Sequence, residues 1–248
     1  MLYLFSPDGH FVGRVSVTGE QIVRHAPVLL PVEALDRCHV STWTNAGAGQ
    51  LFHSPVQGSG IEERAVSLIE GEDTFHGTPD DLFFGHARLA PVGAAGPEVI
   101  TLARKNARMR ITVRGLDRRI PEDRYYLTVE IPNDGYDFVG NPIAGTARVR
   151  RTGAFHDNGD FSTDEAFNLI HTDPAVSPAG GVTVNLYEKA LGRSADRLIA
   201  SVTDDDGRPI SLPTGRTVNL LIDLNEGGGL SVYTEITPWD EIYQWDIW

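Results

Sequence analysis

The sequence predicts an all-β protein of sandwich type. Three observations carry that expectation. Apolar residues recur at every second position through much of the chain, the alternating runs are short, and clusters such as PDG, NDG, DNGD, DDDG and EGGG separate them. Half-buried antiparallel strands produce this alternation.

Taken in chain order, the first run is LYLF (2–5), closed by the turn signal SPDG. Next comes CHVSTW (38–43). Its cysteine is the only one in the chain and cannot form an internal disulfide, so Cys38 reads as a small buried hydrophobe. GIEERAVSLIEG (60–71) is the first of two short helices expected: Ile61, Ala65, Leu68 and Ile69 have helical spacing and Gly71 supplies a stop. LAPVGAAGPEVI (89–100) is rich in Pro, Gly and Ala and poor in charge. It places a boundary that divides the chain into 1–103 and 104–248, two units of ordinary domain size.

Beyond the boundary the alternation is clearest. Met109, Ile111 and Val113 face one way in RMRITVRG, with Arg108, Arg110, Thr112 and Arg114 opposite. YYLTVEI places Tyr125, Leu127, Val129 and Ile131 on one face, and GVTVNLYE does the same with Val182, Val184 and Leu186. STDEAFNLIH (162–171) is the second helix expected, with Ser162 as N-cap and Glu165 at capping-box spacing. TVNLLID and LSVYTEI are read as further strands.

Composition narrows the function. The chain has 248 residues, is 41% hydrophobic and carries a formal net charge of −13, so it supports a packed core and repels nucleic acid and anionic membrane surfaces. No stretch approaches the roughly 18 apolar residues a membrane span needs. The one basic cluster is RKNARMRITVRGLDRR (104–119). It lacks interleaved aromatics for base stacking and is read as a solvated strand face whose charges discourage edge pairing. The acidic turns HDNGDFSTDE and DDDG do not follow EF-hand spacing and read as turn chemistry. The eight histidines form no HxH, HExxH or Cys/His pair, and no P-loop, GxGxxG or GxSxG occurs. The sequence nominates no catalytic, cofactor or metal site.

The C-terminal stretch TPWDEIYQWDIW stands apart. It holds three of the four tryptophans, in a region where chains usually fray. In an extended segment Tyr243, Trp245 and Ile247 share one face, and Ile242 and Trp248 share the other. Two roles fit: closure of the protein's own sheet, or addition to a partner's sheet. Trp239, Ile242, Tyr243, Trp245, Ile247 and Trp248 are the candidate partner-binding residues.

Several stretches, in order, carry a family resemblance: LYLFSPDGHFVG, CHVSTWTN, DDLFFGHA, ARMRITVRGL, and VYTEITPWD with a short aromatic tail. Together they resemble the FimB/Mfa2 family of fimbrial anchor and accessory proteins of Bacteroidetes. The resemblance implies two tandem β-sandwich domains of transthyretin-like, Greek-key topology. It also implies export as an outer-membrane lipoprotein, fimbrial subunit proteins as partners, and no catalytic residues. In the family the leader, lipobox and first strand lie upstream of the LYLF-type strand, which here starts at Met1. Cys38, in mid-strand, does not match a lipid-anchor position. A missing first strand predicts an open groove near LYLF. The expected function is a non-enzymatic, cell-surface fimbrial subunit acting through strand-mediated contacts. The alternative is a carbohydrate-binding surface protein using Trp43, Tyr125, Tyr126 or Tyr136 to stack on sugar rings.

Overall fold

The computed structural model describes residues 1–31, 37–45, 47–89, 98–172, 180–192, 195–225 and 228–245, apart from the side chain of Glu72. The first part of the chain forms β1 (Leu2–Phe5), β2 (Phe11–Val15), α1 (Gly19–Val23), β3 (Cys38–Thr44), β4 (Gln50–Phe52), β5 (Arg64–Leu68), β6 (Phe83–Leu89) and β7 (Ala103–Arg104). Next come β8 (Asn106–Arg114), β9 (Tyr125–Asp137), β10 (Pro142–Arg151), β11 (Ala154–Phe155), β12 (Phe161–Ser162) and β13 (Phe167–Ile170). The remainder is β14 (Thr183–Glu188), β15 (Arg197–Val202), β16 (Asp204–Asp205), β17 (Arg208–Pro209), β18 (Arg216–Leu224) and β19 (Leu230–Pro238). Besides α1, only two 3-10 turns, Glu72–Thr74 and Glu122–Arg124, are helical among the described residues.

Three large sheets result, ordered β2-β1-β3-β6-β7, then β15-β14-β9-β5-β4 with β10 also on β9, then β11-β12-β8-β18-β19 with β13 also on β8. The faces follow the alternation in the sequence. Met109, Ile111 and Val113 are fully buried, as are Leu127, Val129, Val184 and Leu186. They belong to one continuous apolar cluster that also takes in Tyr3, Phe5 and Trp43.

The thirteen residues of β9 tie the early and late strands together. Its first half pairs with β14, while its end pairs with β5 through Val66↔Tyr136 and Ser67↔Gly135. At Gly135 a Cβ would lie 2.2 Å from the Val66 carbonyl oxygen, so only glycine admits this approach. Phe138, just past β9, packs its ring 5.2 Å from both Tyr3 and Phe5. The expected dividing line at 103/104 runs through β7, and β9 supplies aromatic side chains to strands on both sides of it.

Four expectations need correction. Residues 60–71 form a turn followed by β5, because Ala65, Val66 and Leu68 are buried between β4 and β9 instead of along one helical stripe. Residues 162–171 supply β12 and β13, both antiparallel to β8, with Phe167, Leu169 and Ile170 buried. Strand β1 is not an open edge. The SPDG turn, with Gly9 at φ +82°, brings β2 back along it, and β3 pairs on its other side. Strand β8 is central, flanked by β12 and β13 on one side and β18 on the other, so its arginines guard no edge.

Helix α1 was not expected. Thr18 caps it reciprocally with Gln21: the Thr18 hydroxyl accepts from the Gln21 N–H at 3.2 Å, and Gln21 Oε1 accepts from the Thr18 N–H at 2.9 Å.

Candidate functional site

One sheet edge open to another chain is the β19 side of the third sheet. Strand β19 pairs with β18 at all nine positions, from Arg216↔Pro238 to Leu224↔Leu230, and among the described residues no strand forms a ladder on its other side, where only Asp205 of the short β16 reaches it. The Thr234 N–H points outward, donating to Asp205 Oδ2 at 3.0 Å, and the Thr234 hydroxyl donates to the same oxygen at 2.5 Å. In an antiparallel ladder outward-pointing groups alternate, so Val232 and Ile236 direct their N–H groups the same way. Leu230, Tyr233 and Ile236 are each close to half exposed.

The described C-terminal segment, 239–245, is not a strand. It folds back across the outer face of β18 and β8. The Trp239 carbonyl accepts from the Thr217 hydroxyl at 2.8 Å and from Arg108 Nη1 at 3.3 Å. The Trp239 indole is buried under two guanidinium groups, Arg104 at 4.2 Å and Arg108 at 5.2 Å from its ring. Further on, the Tyr243 N–H donates to Asn219 Oδ1 at 3.2 Å, and Tyr243 meets Trp245 edge to face at 4.9 Å. Trp239 is thus packed into the protein's own surface, Ile242 and Tyr243 are exposed, and Trp245 is half-buried. Ile247 and Trp248 lie outside the described residues.

Where the segment ends, it walls an open cleft of about 630 Å³. Arg110 and Thr112 form the floor, Tyr243 and Trp245 one wall, and His156 and Asp157 the other. Ser162 also lines it, bonded through Oγ to His156 Nε2 at 2.5 Å. The arginine row along β7 and β8 is sequestered unevenly. Arg104 holds Asp81 at 2.6 Å, and Arg108 donates to carbonyls. Arg114 holds Asp160 at 3.1 Å, which keeps its guanidinium protonated beyond the usual range. Arg110 has no hydrogen-bond or ion-pair partner among the described residues, and its Nε is buried. The strict alternation around Met109 and Ile111 put Arg110 on the outer face; nothing in the sequence showed that the distant tail would cross over it.

Other sequence candidates fall elsewhere. Trp43, Tyr125, Tyr126 and Tyr136 are all buried, so none presents a ring to a sugar. Tyr126 donates its hydroxyl to Asp196 at 2.8 Å, and burial first, then that carboxylate, pushes its pKa up to about 12. Cys38 is buried in β3, and burial pushes its thiol up. Among the described residues no group of three His, Cys, Asp or Glu side chains converges as a metal site, and no helix is long and apolar enough to cross a membrane.

The family model for fimbrillin-A associated anchor proteins Mfa1 and Mfa2 matches residues 1–245. The chain belongs to this family. Among relatives, the major fimbrium anchoring subunit FimB of Porphyromonas gingivalis is 23% identical over 258 residues, spanning 98% of this chain and 79% of that protein. Among solved structures, the fimbrial anchor protein Mfa2 of Porphyromonas gingivalis superposes with a TM-score of 0.64 at 14% identity, covering 96% of this chain and 88% of that one. A candidate polysaccharide-binding protein of Bacteroides thetaiotaomicron has the same fold, with a TM-score of 0.66, 14% identity and the same coverage. Like the Mfa1/Mfa2 anchor proteins it resembles, this chain is a fimbrial accessory protein with a nearly all-β fold.

Proposed function

We propose that this protein is a non-catalytic, cell-surface fimbrial anchor or accessory subunit whose partners are fimbrial subunits, joined by strand addition. Two sandwich units, 1–103 and 104–248, form the body and share β9. The protein's place is the outer membrane, and the buried thiol of Cys38 is not the point of lipid attachment. The single observation that carries the contact is the outer edge of β19. Apart from Thr234, its outward backbone donors have no partner among the described residues, and they lie beside half-exposed Leu230, Tyr233 and Ile236, to which the neighbouring tail adds Ile242, Tyr243 and Trp245. Backbone groups of this kind supply affinity in strand addition, and alternate side chains supply specificity.

Two variants test this against a co-expressed fimbrial subunit in a pull-down, with thermal unfolding measured in parallel. Ile236→Pro removes one outward N–H without touching the β18 ladder; Pro238 already occupies an outward position of the same strand. Deleting 241–248 removes the tail beyond the Trp239 plug. Loss of association with an unchanged melting temperature is the expected result for both. Association unchanged in both variants overturns the proposal, and a fall in stability alone assigns the edge and tail to the protein's own sheet.

A further inference from the structure

We propose that the cleft over Arg110 binds a saccharide carrying one carboxylate, a function separate from strand addition. A buried polar group without a partner is costly, and hydrogen bonds to charged groups are the stronger ones. Among the described residues Arg110 makes no hydrogen bond or ion pair and its Nε is buried, whereas Arg108, whose Nε is likewise unbonded, donates through both Nη atoms, and Arg114 holds Asp160. Guanidinium groups pair with planar carboxylates through two parallel bonds, which makes a carboxylate the group that completes this position.

The rest of the cleft selects the class of molecule. Its volume of about 630 Å³ falls in the range of small-ligand sites, roughly 300–1,000 Å³. One wall is aromatic, from Tyr243 and Trp245, which offers apolar surface to the carbon face of a sugar ring. The other wall brings the His156 imidazole and the Asp157 carboxylate, groups that take up sugar hydroxyls. A peptide strand finds no purchase on the floor. β8 is paired on both flanks, and at Ile111 the N–H donates to Thr163 Oγ1 while the carbonyl accepts from the Thr163 N–H. Asp157 and Asp160, the latter held by Arg114, also line the cleft, and with a net charge of −13 they disfavour polyanions, so one carboxylate is the charge the site accommodates.

Titration calorimetry on the full chain tests the assignment with three probes: a glucuronic-acid-bearing tetrasaccharide, its carboxyl-reduced counterpart, and a hexaglutamate peptide. The acidic sugar is expected to bind at one site, with the reduced sugar and the peptide at least about tenfold weaker. Arg110→Gln is expected to weaken the acidic sugar by a similar factor, and Trp245→Ala to weaken both sugars. The comparison of probes on the unaltered chain does not depend on any variant folding. No saturable binding of the acidic sugar, equal binding of the two sugars, or peptide binding as tight as the sugar overturns the proposal. So does an Arg110→Gln chain that melts like the parent and keeps its affinity.

Discussion

Strands β18 and β19 are nine residues each and hydrogen-bonded to one another along their whole length, yet they live in different environments. From Thr217 to Ile222 every residue of β18 is buried. Val218, Leu220 and Ile222 fill the core, and Thr217 and Asn219 are covered by the returning C-terminal segment through the bonds to Trp239 and Tyr243. In β19 only Thr237 is buried. Both runs alternate in sequence, so alternation alone does not separate them. The difference is set by neighbours: β18 has β8 on one side and β19 on the other, while among the described residues β19 has one ladder partner and the Asp205 cap. One strand carries stability, and the other is a surface held in place by the first.

The largest effect comes from breaking the interior member. Leu220→Ala removes a fully buried side chain from the middle of the sheet and leaves a cavity, which costs about 2–5 kcal/mol. Chemical denaturation should show a lower midpoint with an unchanged slope. A loss under about 1 kcal/mol would mean that the sheet collapses into the gap and that β18 is not the anchor described here.

A smaller effect sharpens the contrast on the exposed side. Asp205 accepts from both the amide and the hydroxyl of Thr234, so it occupies one of the outward donors of β19. Asp205→Ala is expected to cost about 1–2 kcal/mol. Because the uncapped edge is then longer, it should also increase concentration-dependent self-association in analytical ultracentrifugation. A variant that stays monomeric at every concentration would show that this carboxylate does not protect the edge.

How much of this was legible beforehand follows from what each signal measures. Period-two alternation reports a strand with one buried face, and it placed Met109, Ile111, Val113, Leu127 and Val129 correctly in the core. It does not report neighbours. By sequence alone the arginines of β8 therefore read as a solvated face guarding an edge, whereas β8 is central and the tail crosses it. The helix expectation at 60–71 failed for a related reason: Ala65, Val66 and Leu68 are buried by strands from elsewhere in the chain, and Gly135, seventy residues from Ala65, is what lets β9 approach. The helix that does form was visible as Thr-x-x-Gln at 18–21, a capping box with no apolar stripe behind it. In the tail the concentration of rings was plain, but their fate was not. Trp239 packs under arginines 131 and 135 positions earlier, a pairing that no local pattern encodes.

The smallest stability effect is expected at Ile236, and it separates the two roles most cleanly. Its side chain is about half exposed and pairs across the ladder with fully buried Val218. Ile236→Lys keeps the backbone and the inward ladder intact and places a charge on the open edge, a device that blocks strand addition. Exposed substitutions of this kind usually stay within about 0.5 kcal/mol, so thermal unfolding should be nearly unchanged while capture of a fimbrial subunit falls. If Ile236→Lys instead lowers stability by more than about 2 kcal/mol, the half-exposed ring of apolar residues on β19 belongs to the core after all. If it leaves both stability and capture unchanged, the partner docks on another surface, with the β2 edge and its exposed Val12 the next to probe by the same substitution.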